Sequence, residues 1–104
     1  MKDLRFVYVT VGNGEEASLI AKEVVKTKLA ACANLLSNMS SFYFWKGELQ
    51  EDKEVVLIFK TNESKLEPLI QKIKELHSYE VPCIVSLPID SGNPDYLEWL
   101  RNSL

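Results

Sequence analysis

An α+β sandwich with a split strand-helix-strand repeat is the fold this chain predicts. Three observations predict it: apolar runs of strand type, apolar stripes at helical spacing, and turn or capping residues between them. They give the order strand, helix, strand, strand, helix, strand, helix, which contains the repeat of ferredoxin-like sandwiches. At 104 residues and 46% hydrophobic content the chain has the length of one packed domain. Residues 1–104 are therefore expected to form a single domain, without linkers, internal repeats or low-complexity segments.

Leu4 to Val11 reads as the first strand, and Gly12-Asn13-Gly14 as a turn into a helix. Asn13 can cap that helix, with Glu16 three residues on completing a capping box. Ala17, Ile20, Ala21, Val24 and Val25 then form the stripe of an amphipathic helix crossing over a sheet. From Leu29 to Glu54 the chain reads as two long strands around one tight turn at Lys46-Gly47, with the aromatic run Phe42 to Trp45 before it and Val55 to Phe59 continuing the second strand. Such a hairpin is larger than a small domain needs. Its edges carry unpaired backbone groups, so pairing with another chain is expected.

Thr61 to Ser64 breaks the strand pattern, and Leu66, Leu69, Ile70, Ile73 and Leu76 restore the helical period up to about His77. Pro68 is comfortable only in a first turn, which leaves the start of this helix open by a few residues. Pro82 to Pro88 reads as a short strand stopped by proline at both ends. A last helix starts at Gly92-Asn93-Pro94-Asp95, with Asn93 as cap and Pro94 at its first position; Tyr96, Leu97, Trp99 and Leu100 supply its apolar surface. Both crossover helices should pack on one sheet face. The other face would be apolar and exposed in a monomer, which again calls for an oligomer.

The net charge of -3 offers no basic field for nucleic acid or anionic lipid, and the lysines of the two crossover helices are interspersed with glutamates. The first residues are apolar only briefly and contain charge, so they resemble a strand rather than a signal peptide. No segment approaches the ~20 apolar residues of a membrane span. The cytoplasm is the expected compartment, where Cys32 and Cys83 would be reduced thiols.

Cys32, among small apolar residues, reads either as a buried small hydrophobe or as a soft ligand for Cu(I). His77 is the sole histidine. It reads either as a helix-end residue meeting the last carbonyls or as an imidazole ligand in a cleft, with Tyr79 and Glu80 beside it. Tyr43, Trp45 and Trp99 could supply core, interface or pocket wall, and Glu48, Glu51, Asp52 and Glu54 around the turn could be solvated or attract cations. No enzyme is expected: the first turn lacks phosphate-loop spacing, there is no nucleophile-elbow signature, and Glu15 and Glu16 stand where an acylphosphatase-like sandwich would carry arginine.

Several separated blocks in order carry a resemblance over essentially the full length. They are Leu29-Ala30-Ala31-Cys32-Ala33-Asn34; Ser41 with Tyr43, Trp45, Gly47 and Glu54; Lys60-Thr61; His77 with Tyr79-Glu80-Val81-Pro82; Leu87-Pro88; and Gly92 to Leu97 with Trp99. With these the chain resembles the CutA divalent-cation-tolerance family. The resemblance implies a ferredoxin-like subunit in a tight homotrimer, similar in form to PII signalling proteins, that binds copper or another divalent cation and contributes to metal homeostasis. It implies Cys32 and His77 as metal ligands, and Tyr43, Trp45, Glu54, Tyr79 and Trp99 around an intersubunit cleft. Two positions depart from the family pattern. Cys83 replaces a glutamate, which adds a soft sulfur and a preference for Cu(I) if it faces the cleft, and only packing if it faces the core; Ser78 replaces a proline and loosens the loop. The alternative function is a PII-like signalling or scaffold module whose cleft takes a small molecule or a partner protein.

Overall fold

The alternating valines of the first strand decide which way the sheet faces. In the computed structural model, which describes residues 3–104, β1 (Leu4–Val11) buries Val7, Val9 and Val11 on one side. These side chains meet Ala17, Ile20 and Val24 of α1 (Gly14–Lys26) and Leu69 and Ile73 of α2 (Glu63–Leu76), which form one core with Leu57 and Phe59. Met1 and Lys2 of the expected domain lie outside the described residues. β2 (Cys32–Trp45), β3 (Glu48–Asn62), β4 (Ile84–Pro88) and α3 (Pro94–Asn102) complete the expected order.

All neighbouring strands are antiparallel, in the order β2-β3-β1-β4. β3 thus lies between the parallel β1 and β2 of the first crossover, which is the split repeat the sequence predicts. The face away from α1 and α2 carries Leu36, Val85 and Leu87, all exposed. α3 covers one end of that face, where Tyr96 meets Lys60 of β3, and its Leu100 is buried.

Caps explain the helix starts. Asn13 accepts the Glu16 N–H at 2.8 Å, Asn62 the Lys65 N–H at 2.9 Å, and Asn93 the Asp95 N–H at 3.1 Å. The Asn62 cap starts α2 ahead of Pro68, which therefore sits inside the helix beyond its comfortable first turn. The capping box at Asn13 is only half made, because the Glu16 carboxylate accepts from the Ser78 N–H at 3.0 Å. The last strand begins at Ile84, two residues later than the proline boundaries suggest, which leaves Pro82 and Cys83 in the preceding loop.

Two local features shape the hairpin. Lys46 and Gly47 both have positive φ, at 51° and 80°, and Trp45 pairs with Glu48, so the turn is the two-residue type that matches strand twist. Farther down, the register slips between Leu36 and Met39 around Asn38, whose φ is 66°. Leu36 faces Val56 and Met39 faces Glu54, so β2 carries one extra residue there, a β-bulge. Beyond the bulge, Met39, Ser41, Tyr43 and Trp45 therefore share the face of Leu36 and Glu54. Phe42, Phe44 and Leu49 share the opposite face and are 63%, 74% and 66% exposed.

Candidate functional site

Where the hairpin leaves the sheet, the loop from α2 to β4 folds over the end of β1, and His77 holds it there. The His77 backbone N–H closes α2 by donating to the Ile73 carbonyl at 2.9 Å. Its side chain is fully buried, with Nε2 2.7 Å from the Thr10 carbonyl. The Tyr79 backbone N–H donates to Nδ1 at 3.1 Å. A backbone N–H can only donate, so Nδ1 is the acceptor, and Nε2 carries the proton it gives to Thr10. Glu16, 3.6 Å from Nδ1, is committed to Ser78. The imidazole thus spends both nitrogens on backbone, tying the loop to β1.

Held this way, Tyr79 lies tilted against His77, with ring centroids 4.8 Å apart, and its hydroxyl donates to Glu54 Oε2 at 2.9 Å. Gly12 leaves the room this needs, since a Cβ there would stand 3.2 Å from the Tyr79 hydroxyl oxygen. The Tyr43 hydroxyl donates to Asp52 of the neighbouring strand. Between these parts lies a cavity of about 430 Å³. Tyr43, Trp45 and Tyr79 supply its aromatic wall and Glu54 and Glu80 its carboxylates; Thr10, Val81 and Cys83 complete it.

Both phenols are harder to ionise than usual. Partial burial and then the bond to Glu54 push Tyr79 up to about 12, while the hydrogen bond to Asp52, with some desolvation, raises Tyr43. Tyr79 therefore stabilises the fold fully below the ordinary tyrosine value of 10, and that contribution is lost as pH rises towards 12. A tyrosinate absorbance titration should show a late step near pH 12 that Tyr79→Phe removes, together with a shallower loss of stability above pH 10. If all four tyrosines ionise together near pH 10, the Tyr79-Glu54 contact does not hold in solution.

Cys32 lies elsewhere. It pairs with Lys60 in the row of Phe6, whereas Cys83 adjoins the row of Thr10 at the far edge of the sheet. Strand spacings put the two thiols roughly 15–20 Å apart in one subunit. Cys32 Sγ is 3.8 Å from the Tyr96 hydroxyl, which also accepts from Lys60 Nζ at 3.2 Å. Trp99 stacks beside Tyr96 at 5.5 Å. Of the expected residues, Tyr43, Trp45, Glu54, Tyr79 and Cys83 come together at the cavity, His77 props it from beneath, and Cys32 and Trp99 share the α3 end. Among the described residues no three His, Cys, Asp or Glu side chains form a group able to hold a metal ion. Sequence reasoning did not find the Thr10 carbonyl or the space at Gly12. Only the Gly12-Asn13-Gly14 turn pointed near them.

A family model described as CutA1 divalent ion tolerance protein matches residues 5–103. The chain is 47% identical over 97 residues to the chloroplastic CutA protein of Arabidopsis thaliana, covering 93% of this chain and 53% of that protein. It thus spans about half the length of that plant relative. It matches the solved divalent cation tolerance protein of Thermus thermophilus with a TM-score of 0.93 at 44% identity, covering 96% of this chain and 97% of that one. The periplasmic divalent cation tolerance protein CutA of Archaeoglobus fulgidus matches with a TM-score of 0.92 at 36% identity, over 96% and 97% of the two chains. No helix among the described residues is long and apolar enough to cross a membrane.

Proposed function

Because the chain belongs to the CutA1 divalent ion tolerance family, we propose that it binds copper or another metal ion in the hairpin cleft and contributes to metal homeostasis as a homotrimer. The observation that carries this reading is Cys83, whose position lines the same cavity as the carboxylates of Glu54 and Glu80. A thiolate selects soft ions such as Cu(I), which carboxylates alone would not hold selectively. Among the described residues of one subunit no three donors converge, and in this reading a neighbouring subunit would complete the coordination. His77 acts here as a positioning residue for Tyr79. Cys32, with its sulfur beside Tyr96, is a second and separate thiol. Both cysteines are free, as a reducing cytoplasm would keep them.

Anaerobic competition for Cu(I) against a calibrated chelator tests the metal reading. Native protein and Cys32→Ser should take up the ion stoichiometrically. Cys83→Ser should lose more affinity than the ~10–100-fold that removal of an outer-shell partner costs. Equal binding by native protein and Cys83→Ser would contradict the proposal.

The second reading is a PII-like signalling or scaffold module with a small molecule in an intersubunit cleft. The aromatic wall of Tyr43, Trp45 and Tyr79 around about 430 Å³ favours it, since a single ion needs neither that room nor those rings. Ligand binding would then persist when both thiols are replaced by serine.

A further inference from the structure

We propose that the cavity at the base of the hairpin takes an organic cation, an alkylammonium or quaternary ammonium ion, against Trp45, Tyr43 and Tyr79. The inference rests on the small-molecule reading of the cleft and names the class of that molecule.

The wall chemistry selects the sign of the charge. Three aromatic residues and the acidic residues Glu54 and Glu80 line the cavity, and among the described residues no lysine or arginine does. Aromatic faces carry negative potential and attract cations within about 6 Å of the ring centre. The phenol hydrogens are already given to Glu54 and Asp52, which leaves an anion only neutral donors such as the Trp45 indole and the Thr10 hydroxyl. An anion would therefore meet carboxylates with no cationic partner, and a neutral apolar ligand would have to strip water from them without compensation.

Size and geometry select the kind of cation. A hard metal ion needs oxygen donors converging at about 2.0–2.6 Å, and the described residues of one subunit offer no group of three His, Cys, Asp or Glu able to hold one. An organic cation needs no coordination geometry: its charge is spread over a weakly hydrated surface that ring faces and nearby carboxylates attract together. A volume of about 430 Å³ falls within the range of small-molecule sites. The rings are also held in advance, Tyr79 between His77 and Glu54 and Tyr43 by Asp52, which lowers the entropy lost on binding.

The test is a calorimetric titration of the intact, assembled protein with tetramethylammonium chloride at low ionic strength, with tert-butanol as an uncharged analogue. Native protein should bind the cation saturably and the alcohol far more weakly. Trp45→Ala should weaken cation binding roughly two- to thirtyfold. Glu54→Gln should weaken it and reduce its salt dependence, and this variant keeps the test valid if Trp45→Ala disturbs assembly. No saturable binding of tetramethylammonium, or equal binding of tert-butanol, would overturn the inference. Retained Cu(I) binding alongside that failure would leave the metal proposal standing, whereas cation binding that survives the loss of Cu(I) binding would support the organic cation alone.

Discussion

Phe44→Asp is expected to abolish assembly at micromolar concentration while the same charge placed on Leu19 leaves it intact. Phe44 lies on the far half of the hairpin and is 74% exposed in the isolated subunit, on the same face as Phe42 and Leu49. A ribbon carrying this much apolar surface outside the core needs a cover, and the proposed trimer supplies one from its neighbours. Burying one phenylalanine contributes about 1.5–3 kcal/mol, so three copies contribute roughly 5–9 kcal/mol per trimer, before the penalty of burying three carboxylates. The side chain is mostly exposed in its own subunit and is not part of the buried core, so this loss falls mainly on association. Leu19, 56% exposed on the outer side of α1, serves as the control. Light scattering should give the mass of three chains for native protein and Leu19→Asp, and less for Phe44→Asp. A folded, monodisperse native monomer would contradict the assembly, as would a Phe44→Asp trimer of native stability.

His77→Ala is expected to destabilise the protein by about 3 kcal/mol, measured by urea unfolding at one fixed chain concentration. The imidazole is fully buried and satisfies the Thr10 carbonyl at 2.7 Å and the Tyr79 N–H at 3.1 Å. Alanine leaves both backbone groups without that partner and opens a void beneath Tyr79, and each unsatisfied buried group costs about 1–3 kcal/mol. His77→Gln, whose amide can still donate towards Thr10, should recover part of the loss. The late Tyr79 ionisation should also move down in His77→Ala, because the loop that presses the phenol against Glu54 is released. A variant within about 0.5 kcal/mol of native, the range of ordinary surface substitutions, would show that the histidine does not hold the loop.

The fold was largely legible because its signals are local. Asn13, Asn62 and Asn93 each lie next to the helix they cap, and the valine alternation of β1 exposes its buried face directly. The site was legible only in pieces. Simple alternation along β2 would put Tyr43 and Trp45 on the face of Leu35 and Phe42 and Phe44 on the face of Leu36. The bulge at Asn38 reverses this, and an asparagine able to adopt positive φ is a weak signal among many. The role of His77 depends on Thr10, 67 residues away, and the room for Tyr79 depends on Gly12; neither contact leaves a trace in neighbouring residues. In the sequence Cys32 reads either as a buried hydrophobe or as a soft ligand, and Cys83 as a soft ligand only if it faces the cleft. The cavity lining and the contact with Tyr96 show that one stands with Glu54 and Glu80 and the other at the α3 end.

That distinction between the two thiols is most directly tested by copper X-ray absorption on protein loaded anaerobically with one Cu(I) per chain. Native protein and Cys32→Ser should show copper-sulfur scattering, and Cys83→Ser should show only oxygen or nitrogen neighbours. Sulfur scattering that survives in Cys83→Ser, or disappears in Cys32→Ser, would contradict a metal site in the hairpin cleft.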